Sequence, residues 1–241
     1  MTEFTIELAG MAYGVSCTFE TTKTYCKNYL TDRAADYSVL ITAEDIAAER
    51  RLSLQAEADE GLVYTDAYLE TLALLRKLAE YAPNFDAFLM HGSAIMVDNK
   101  AYLFTAPSGT GKSTHTGLWR QMLADRAVMI NDDKPFIHRD LSGFSACGTP
   151  WNGKHKLGAP ICAPLAGICI LEQAKENEIS RLTAGDALNR LMVQCYMPKN
   201  SVGAFKTLEL LDGLLKHMPV YLLRCNISME AAQLSYSVMT E

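Results

Sequence analysis

The sequence predicts a mixed α/β protein, and three observations support this class. Apolar runs of strand length alternate along the chain with segments whose apolar residues repeat at helical spacing. A glycine-rich loop lies directly between one such apolar run and one helical segment. The 241 residues are 49% hydrophobic, which is enough to bury a core in one large domain or two small ones.

The first 85 residues predict a small α+β segment. Apolar and polar residues alternate in two short stretches separated by glycines, which predicts a β-hairpin, and a further strand precedes the first helix. That helix begins with a capping threonine and acids in its first turn, whereas the second repeats leucine along one side until a proline ends it. The predicted strands are residues 4–8, 15–19 and 37–41, and the helices run from 42 toward 54 and from about 65 to 81.

Residues 86–241 predict a second part in which buried strands and helices alternate. A glycine-rich stretch at 143–158 interrupts this pattern and predicts turns. The predicted strands are residues 88–90, 94–97, 101–105, 127–130, 164–171 and 220–223. The predicted helices are residues 112–123, 184–196, 202–217 and a final one from 229.

Charge and the N-terminal sequence bear on the class of partner and on location. The formal net charge is −6, from 28 acidic and 22 basic residues, and no run of Lys or Arg occurs. This balance argues against a nucleic-acid-binding platform. The N-terminus has no basic region leading into an apolar stretch, and no apolar run reaches the ~18 residues of a membrane span. We therefore expect a soluble cytoplasmic protein that binds neither nucleic acid nor membrane.

The cysteines have no recognisable metal-binding or redox pattern. None of the seven forms the Cys-x-x-Cys spacing that zinc or dithiol chemistry favours. An odd, unpatterned set predicts reduced thiols in the core. The positions are Cys17, Cys26, Cys147, Cys162, Cys169, Cys195 and Cys225.

The strongest motif is the loop Ala-Pro-Ser-Gly-Thr-Gly-Lys-Ser at 106–113, between a predicted strand and a predicted helix. This context is the one that a nucleotide phosphate loop requires. Gly109 and Gly111 allow backbone angles that turn successive N–H groups toward one point, while Lys112 adds a cation for the phosphates. The alternative is an ordinary strand–turn–helix connection. The predicted nucleotide-binding residues are Ser108, Gly109, Thr110, Gly111, Lys112, Ser113 and Thr114, with the Ser113 hydroxyl also able to ligate Mg²⁺.

Two adjacent acids, Asp132 and Asp133, follow the next predicted strand. Acids at the end of a strand beside a phosphate loop can hold Mg²⁺ or orient a nucleophile. Adjacent carboxylates on extended backbone point to opposite faces, so they are expected to differ in role. We assign Asp133 to the metal and Asp132 to proton acceptance, with the reverse assignment left open. The alternative is a polar turn that caps a core strand.

Two further features are open to more than one interpretation. His91 lies at the start of a buried strand, where a hydrogen-bonded core histidine is more common than a ligand. The stretch Trp-Asn-Gly-Lys-His-Lys at 151–156 groups an aromatic ring with three basic side chains. Such a loop can grip an anionic or peptidic acceptor, or it can be the solvated tip of a hairpin.

Taken together, these motifs resemble the nucleotide core of the P-loop kinases of the HPr kinase and ATP-dependent phosphoenolpyruvate carboxykinase superfamily. Met-His-Gly-Ser-Ala at 90–94 is similar to the carboxykinase segment His-Cys-Ser-Ala, and 108–113 is similar to Ser-Gly-Thr-Gly-Lys-Thr. Ile-Ser-Arg-Leu-Thr at 179–183 resembles a carboxykinase stretch whose arginine contacts the γ-phosphate. The resemblance spans about residues 89–191.

The resemblance implies a mixed-sheet P-loop core at 86–241, with the small α+β segment 1–85 packed on it. It also implies that His91 joins Asp133 at a metal site and that Arg181 neutralises charge on the transferred phosphoryl group. The segment before the match is too short for the oxaloacetate-binding domain of a carboxykinase, and the glycine-rich signature of HPr kinases is missing. The remaining similarity is to small stand-alone HPr-kinase-related proteins of bacteria, some of which resemble kinases of peptide hydroxyls.

We therefore expect transfer of the γ-phosphoryl group of ATP to a hydroxyl, with Mg²⁺ as cofactor and Mn²⁺ as an alternative metal. The expected acceptor is a serine of a peptide or protein, with a small metabolite as the alternative. A nucleotide-binding sensor or scaffold without transfer, and a phosphoprotein hydrolase or phosphorylase, are the rival functions, and self-association into a homo-oligomer stays open. The catalytic residues are then Lys112, Asp132, Asp133 and Arg181, and the metal residues are Ser113, Asp133 and His91.

Overall fold

The computed structural model describes residues 1–56 and 64–241, which form a three-stranded sheet and a nine-stranded sheet. In the smaller sheet, the first two strands form an antiparallel hairpin and the third pairs in parallel with the second. The mixed α/β class predicted from the sequence is confirmed. The strands of this sheet are β1 (Thr2–Leu8), β2 (Met11–Cys17) and β3 (Tyr37–Leu40).

Three helices accompany the smaller sheet. The predicted cap of the second helix is present, since the Thr42 backbone N–H donates to Asp45 Oδ2 and the Asp45 N–H donates to Thr42 Oγ1. The third helix is capped by Thr65, whose side chain accepts from the Tyr68 N–H. The first helix is short and was not predicted. The helices are α1 (Glu20–Tyr25), α2 (Ala43–Ala56) and α3 (Asp66–Tyr81).

The larger sheet is mixed, in the order β4-β8-β9-β10-β6-β5-β7, with β12 also pairing with β10 and β11 with β12. Strand β10 pairs with β6 and β12 in parallel, so the carboxyl ends of these three strands lie on one edge of the sheet. Ligands of α/β proteins bind at such an edge. The strands are β4 (Ala87–Leu89), β5 (Ser93–Val97), β6 (Lys100–Thr105), β7 (Ala127–Asn131), β8 (Phe136–Asp140), β9 (Gly143–Cys147), β10 (Cys162–Gln173), β11 (Glu178–Arg181) and β12 (Val220–Cys225).

Helices cover both faces of the larger sheet. Alternate residues of β6 enter different hydrophobic clusters, because successive side chains of a strand point to opposite faces. Leu103 packs with Leu191 and Leu210, whereas Phe104 packs with Trp119 and other side chains on the opposite face. The helices are α4 (Lys112–Leu123), α5 (Ala184–Met192), α6 (Ser201–His217) and α7 (Met229–Thr240), with α5 and α6 on the Leu103 face and α4 and α7 on the Phe104 face.

A third cluster contains side chains from both sides of residue 85. Leu8 of β1 and Leu74 of α3 share it with Leu89, Phe136 and Trp151 of the longer segment. The smaller sheet and α3 therefore pack against β4, β8 and the loop that contains Trp151.

The structure differs from the sequence prediction within residues 136–147. Strands β8 and β9 form an antiparallel hairpin in which Phe136 pairs with Cys147 and Asp140 with Gly143. The glycine-rich stretch at 143–158 was predicted to form turns throughout. Gly143, with φ of 124°, does lie in a turn, which joins the two strands. The alternating Phe-Ser-Cys pattern of β9 was the signal for a strand.

The prediction that all cysteines are reduced is wrong for one pair, because Cys147 and Cys162 form a disulfide. Cys147 ends β9 and Cys162 begins β10, and the two residues lie opposite each other in the antiparallel pairing. This juxtaposition depends on sheet register, which the spacing of cysteines in the sequence does not show. The other five cysteines are free thiols, of which Cys17, Cys26 and Cys169 are buried.

A buried serine joins α4 to α7. Ser235 Oγ accepts from Trp119 Nε1 at 2.9 Å, lies 2.8 Å from His115 Nε2 and donates to the Ala232 carbonyl at 3.0 Å. Trp119 and Ser235 are fully buried. Without the hydroxyl, the indole N–H would have no partner in an apolar environment.

We expect the replacement Ser235→Ala to lower the free energy of unfolding by about 2 kcal/mol, the usual cost of an unsatisfied buried donor. Urea denaturation followed by circular dichroism measures the change. The matched control is Ser237→Ala on the same helix, whose exposed hydroxyl contacts only the Leu234 carbonyl. Equal stability of the two variants would contradict the structural role of Ser235.

Candidate nucleotide-binding site

The loop of residues 106–113 joins the carboxyl end of β6 to the first turn of α4. Gly109 and Gly111 have φ angles of 79° and 114°, a region that favours glycine. Among the described residues, no atom beyond the chain neighbours lies within 4 Å of the place where either glycine would carry a Cβ. The loop therefore leaves open space beside the N-terminus of α4, where backbone N–H groups and the helix dipole attract an anion.

Lys112 is folded back over this loop. Its Nζ donates to the carbonyl oxygens of Ala106 at 2.9 Å and Pro107 at 3.2 Å, and the residue is buried. Burial lowers the pKa of Lys112, nearby Asp133 raises it and nearby Lys134 lowers it. The carboxyl end of β7, which leads to Asp133, lies on the same sheet edge as the carboxyl end of β6, because both strands run antiparallel to β5 between them. Lys134 Nζ lies 3.3 Å from Asp133 Oδ1.

A cavity of about 670 Å³ lies against the loop at the carboxyl ends of β6 and β10. Its size falls within the ~300–1,000 Å³ range of small-molecule sites. Arg190 of α5 lines it and forms an ion pair with Glu172, and Gln173 Nε2 donates to the Thr110 carbonyl at 3.2 Å. A smaller cavity of about 270 Å³ continues along α4 and shares Thr110 and Gln173. The groove on both sides of the loop is large enough for a nucleotide.

Asn131, at the end of β7, orders the turn that carries the two acids. It is fully buried; its Oδ1 accepts from the backbone N–H groups of Asp133 and Lys134, and its Nδ2 donates to the Thr149 carbonyl. Sequence reasoning missed this residue. A buried amide at the end of a strand, directly before two acids, was the available signal.

The two acids lie in different surroundings, as the alternation of an extended chain requires. Asp132 is 3% exposed; its Oδ1 accepts from the Gly153 N–H at 2.6 Å, and its Oδ2 is buried without a hydrogen-bond partner among the described residues. Burial is the largest cause that raises the pKa of Asp132. Asp133 is one-third exposed, and its Oδ1 lies 3.3 Å from Lys134 Nζ and 3.4 Å from His91 Nε2. Asp133, and not Asp132, is therefore the accessible acid.

His91 is held in place by the chain around it. Its backbone N–H donates to the Gln194 carbonyl at 2.7 Å, and its carbonyl accepts from Thr105 Oγ1 at 2.7 Å. Its Nδ1 lies 3.1 Å from Gln194 Oε1. Burial lowers the pKa of His91, the charges of Lys134 and Lys112 lower it further, and Asp133 raises it. If the His91 ring is neutral and its Nδ1–H donates to Gln194 Oε1, the lone pair of Nε2 points toward Asp133.

Arg181 is not brought to the phosphate loop. It lies on β11 opposite Tyr221 of β12, which pairs with Cys169 of β10, which in turn pairs with Phe104 of β6. Three strand spacings separate Arg181 from β6, which is about 14 Å across the sheet. Arg181 precedes helix α5, as the sequence pattern predicts, but it also ends the edge strand β11, which was not predicted.

Trp151 is a core residue. It is 3% exposed, its Nε1 donates to the Thr71 carbonyl of α3 at 3.0 Å, and its ring lies 6.2 Å from that of Tyr25. Lys154 and Lys156, which follow it, are exposed. The loop of residues 151–156 is thus held against α3 by Trp151, whereas its two lysines are exposed to solvent.

No group of three or more His, Cys, Asp or Glu side chains is placed to hold a metal ion within residues 1–56 and 64–241. In the same part of the chain, no helix combines the length and apolar character needed to cross a bilayer.

The comparisons with known proteins find a likeness only among solved structures, and it is distant. No protein-family model matches the sequence, and no curated protein matches it. A solved structure that does match is that of the HPr(Ser) kinase/phosphatase from Coxiella burnetii, at 10% sequence identity and a TM-score of 0.37. The match covers 63% of this chain and 88% of that chain. A likeness of this size assigns neither a family nor an activity to this protein.

Proposed function

We propose that this protein is a kinase that uses ATP and Mg²⁺ to phosphorylate a hydroxyl group, with a serine of a peptide or protein as the acceptor. The observation that carries the proposal is the open glycine loop at the start of α4, with Lys112 folded over it and Asp133 nearby. A loop of this form cradles phosphates, and an acid beside it serves phosphoryl transfer.

The side chains present fit a divalent cation. Ser113 and Asp133 supply oxygen ligands, and Mg²⁺ needs few of these from protein because substrate phosphates and water complete its shell. His91 Nε2 lies 3.4 Å from Asp133 Oδ1 and would add a nitrogen ligand beside these oxygens. When bound, the cation would neutralise charge on the β and γ phosphates.

Asp133 is the proposed proton acceptor as well as a proposed metal ligand, so the proton-accepting role expected at Asp132 passes to Asp133. Asp132 is committed to the Gly153 N–H and is closed to an incoming hydroxyl. The described contacts of Asp133 all involve Oδ1, which leaves Oδ2 for the acceptor. In the reaction, the acceptor oxygen forms the new bond to the γ-phosphorus and the bond to the β–γ bridging oxygen breaks. ADP leaves, and the hydroxyl proton passes to Asp133.

Arg190 is the proposed source of positive charge for the transferred group, in place of Arg181. It lines the cavity that borders the loop, whereas Arg181 lies on the far edge of the sheet. Its ion pair with Glu172 holds the guanidinium group at the cavity wall. Fixed positive charge aimed at the developing phosphoryl charge stabilises the transition state.

The test is the replacement Lys112→Ala, with transfer of ³²P from γ-labelled ATP to fractionated host extract as the measurement. We expect at least a 100-fold fall in rate, because the cation for the phosphates is lost. The control is Lys100→Ala, an exposed lysine at the opposite end of β6. Transfer by Lys112→Ala at the wild-type rate would overturn the proposal.

A further inference from the structure

A second large cavity, of about 790 Å³, is lined by Asp133 but by no described residue of the loop 106–113. Its walls come from two distant parts of the chain, the segment around α1 and α3 and the loop of residues 150–158. Asp133 lies on its wall, and the same carboxylate is close to His91 and to Lys112. A molecule in this cavity would therefore be able to present a hydroxyl to Asp133. The inference that this molecule is a phosphoryl acceptor rests on the proposed function.

The charge of the cavity is predominantly positive. Lys27, Lys154 and Lys156 line it, and Asp133 is the one acid among its described lining residues. All three lysines are exposed, so their charges face the open side of the cavity. No salt bridge involving any of them is formed within residues 1–56 and 64–241. Since unpaired positive charge attracts and orients anions, the cavity favours an acidic ligand.

Four tyrosines also line the cavity: Tyr25, Tyr29, Tyr64 and Tyr68. Tyr25 packs on Trp151, and Tyr64 packs on Tyr68 with ring centroids 5.1 Å apart. Tyr25 and Tyr68 are 37% and 40% exposed, so part of each ring is available for contact. Rigid aromatic surface of this kind contributes contact area at low entropic cost in the recognition of peptides.

We propose that this cavity is the acceptor site and that it takes a peptide segment whose accepting serine is flanked by acidic residues. The lysines bind the flanking carboxylates, the tyrosines contact the peptide backbone and side chains, and the serine hydroxyl reaches Asp133. The α+β segment thus supplies half of the acceptor site.

Binding of two labelled peptides tests the proposal without nucleotide, so the result does not depend on transfer. The acidic peptide is Glu-Glu-Ser-Glu-Glu and its counterpart is Lys-Lys-Ser-Lys-Lys, each carrying fluorescein, with anisotropy as the readout. We expect the acidic peptide to bind at least tenfold more tightly and to weaken as salt is added. The double variant Lys154→Glu/Lys156→Glu should lose at least tenfold in affinity for the acidic peptide.

The matched control is Lys100→Glu/Lys216→Glu, which changes the net charge equally but lies outside the cavity and should leave binding unchanged. Equal binding of the two peptides, or no effect of the Lys154 and Lys156 changes, would overturn the proposal. So would displacement of the acidic peptide by an equal concentration of malate, since the site would then recognise a small carboxylate. If the acidic peptide binds but is never phosphorylated, the cavity is a peptide-binding site and the proposed kinase activity is contradicted.

Discussion

Asp133→Asn is expected to lower the rate of phosphoryl transfer by about 1,000-fold or more, the upper part of the range for loss of a general base. The amide has the size of the carboxylate but cannot accept the hydroxyl proton, and it has no charge with which to hold a cation. Both the proposed base and a proposed metal ligand are lost in one change. Initial rates of ³²P transfer from γ-labelled ATP measure the effect.

Asp132→Asn is the paired control for Asp133. Its Oδ1 contact with the Gly153 N–H can be kept by an amide oxygen, so we expect a rate within about tenfold of wild type. Asp140→Asn, on the exposed β8–β9 turn, should have no effect. If Asp132→Asn is inactive and Asp133→Asn is active, Asp132 and not Asp133 is the general base.

Glu70→Gln is expected to lower the free energy of unfolding by about 3 kcal/mol, the cost of leaving buried donors without a charged acceptor. Glu70 is a fully buried residue of α3. Its carboxylate accepts from the Thr18 N–H at 2.7 Å, the Phe19 N–H at 3.0 Å and the Thr22 hydroxyl at 2.5 Å. An amide would turn its NH₂ group toward at least one of these donors. Those donors begin α1, so α1 and its neighbours should loosen first.

The measurement is urea denaturation, with hydrogen exchange at residues 18–25 as a local readout. The control is Glu209→Gln, an exposed position on α6. Equal stability of both variants would contradict the role of Glu70. Faster exchange confined to α1, without a change in global unfolding, would show that Glu70 stabilises only the local segment.

The glycine loop of residues 106–113 and the elements beside it were predictable because their signals are local. The apolar run of β6, the two glycines and the helix that begins at Lys112 lie within about 25 consecutive residues, and backbone angles alone explain them. The cap at Thr42 was likewise predictable from a few adjacent positions. The hairpin β8–β9 was not predicted, because the glycine-rich stretch that begins at Gly143 was interpreted as turns and the alternating pattern of β9 is short.

His91, Asp132 and Asp133 were named from the sequence, but the rest of the candidate site could not be predicted, because it depends on strand order. Gln194 is 103 residues from His91, yet its carbonyl accepts from the His91 backbone N–H and its side chain contacts the imidazole. Arg190 reaches the loop cavity because α5 packs beside the carboxyl end of β10, whereas Arg181 is carried to the sheet edge by pairing with β12. Cys147 and Cys162 meet through the register of β9 and β10.

The sequence by itself determined the α/β class and the loop with its lysine, because helix periodicity, strand runs and glycine angles are properties of neighbouring residues. Only the tertiary structure decided which acid is accessible, which arginine lines the cavity and where residues 1–85 contribute to a pocket. The physical reason is that accessibility and proximity follow from sheet pairing and packing. These join residues far apart in the chain, and no local pattern records them.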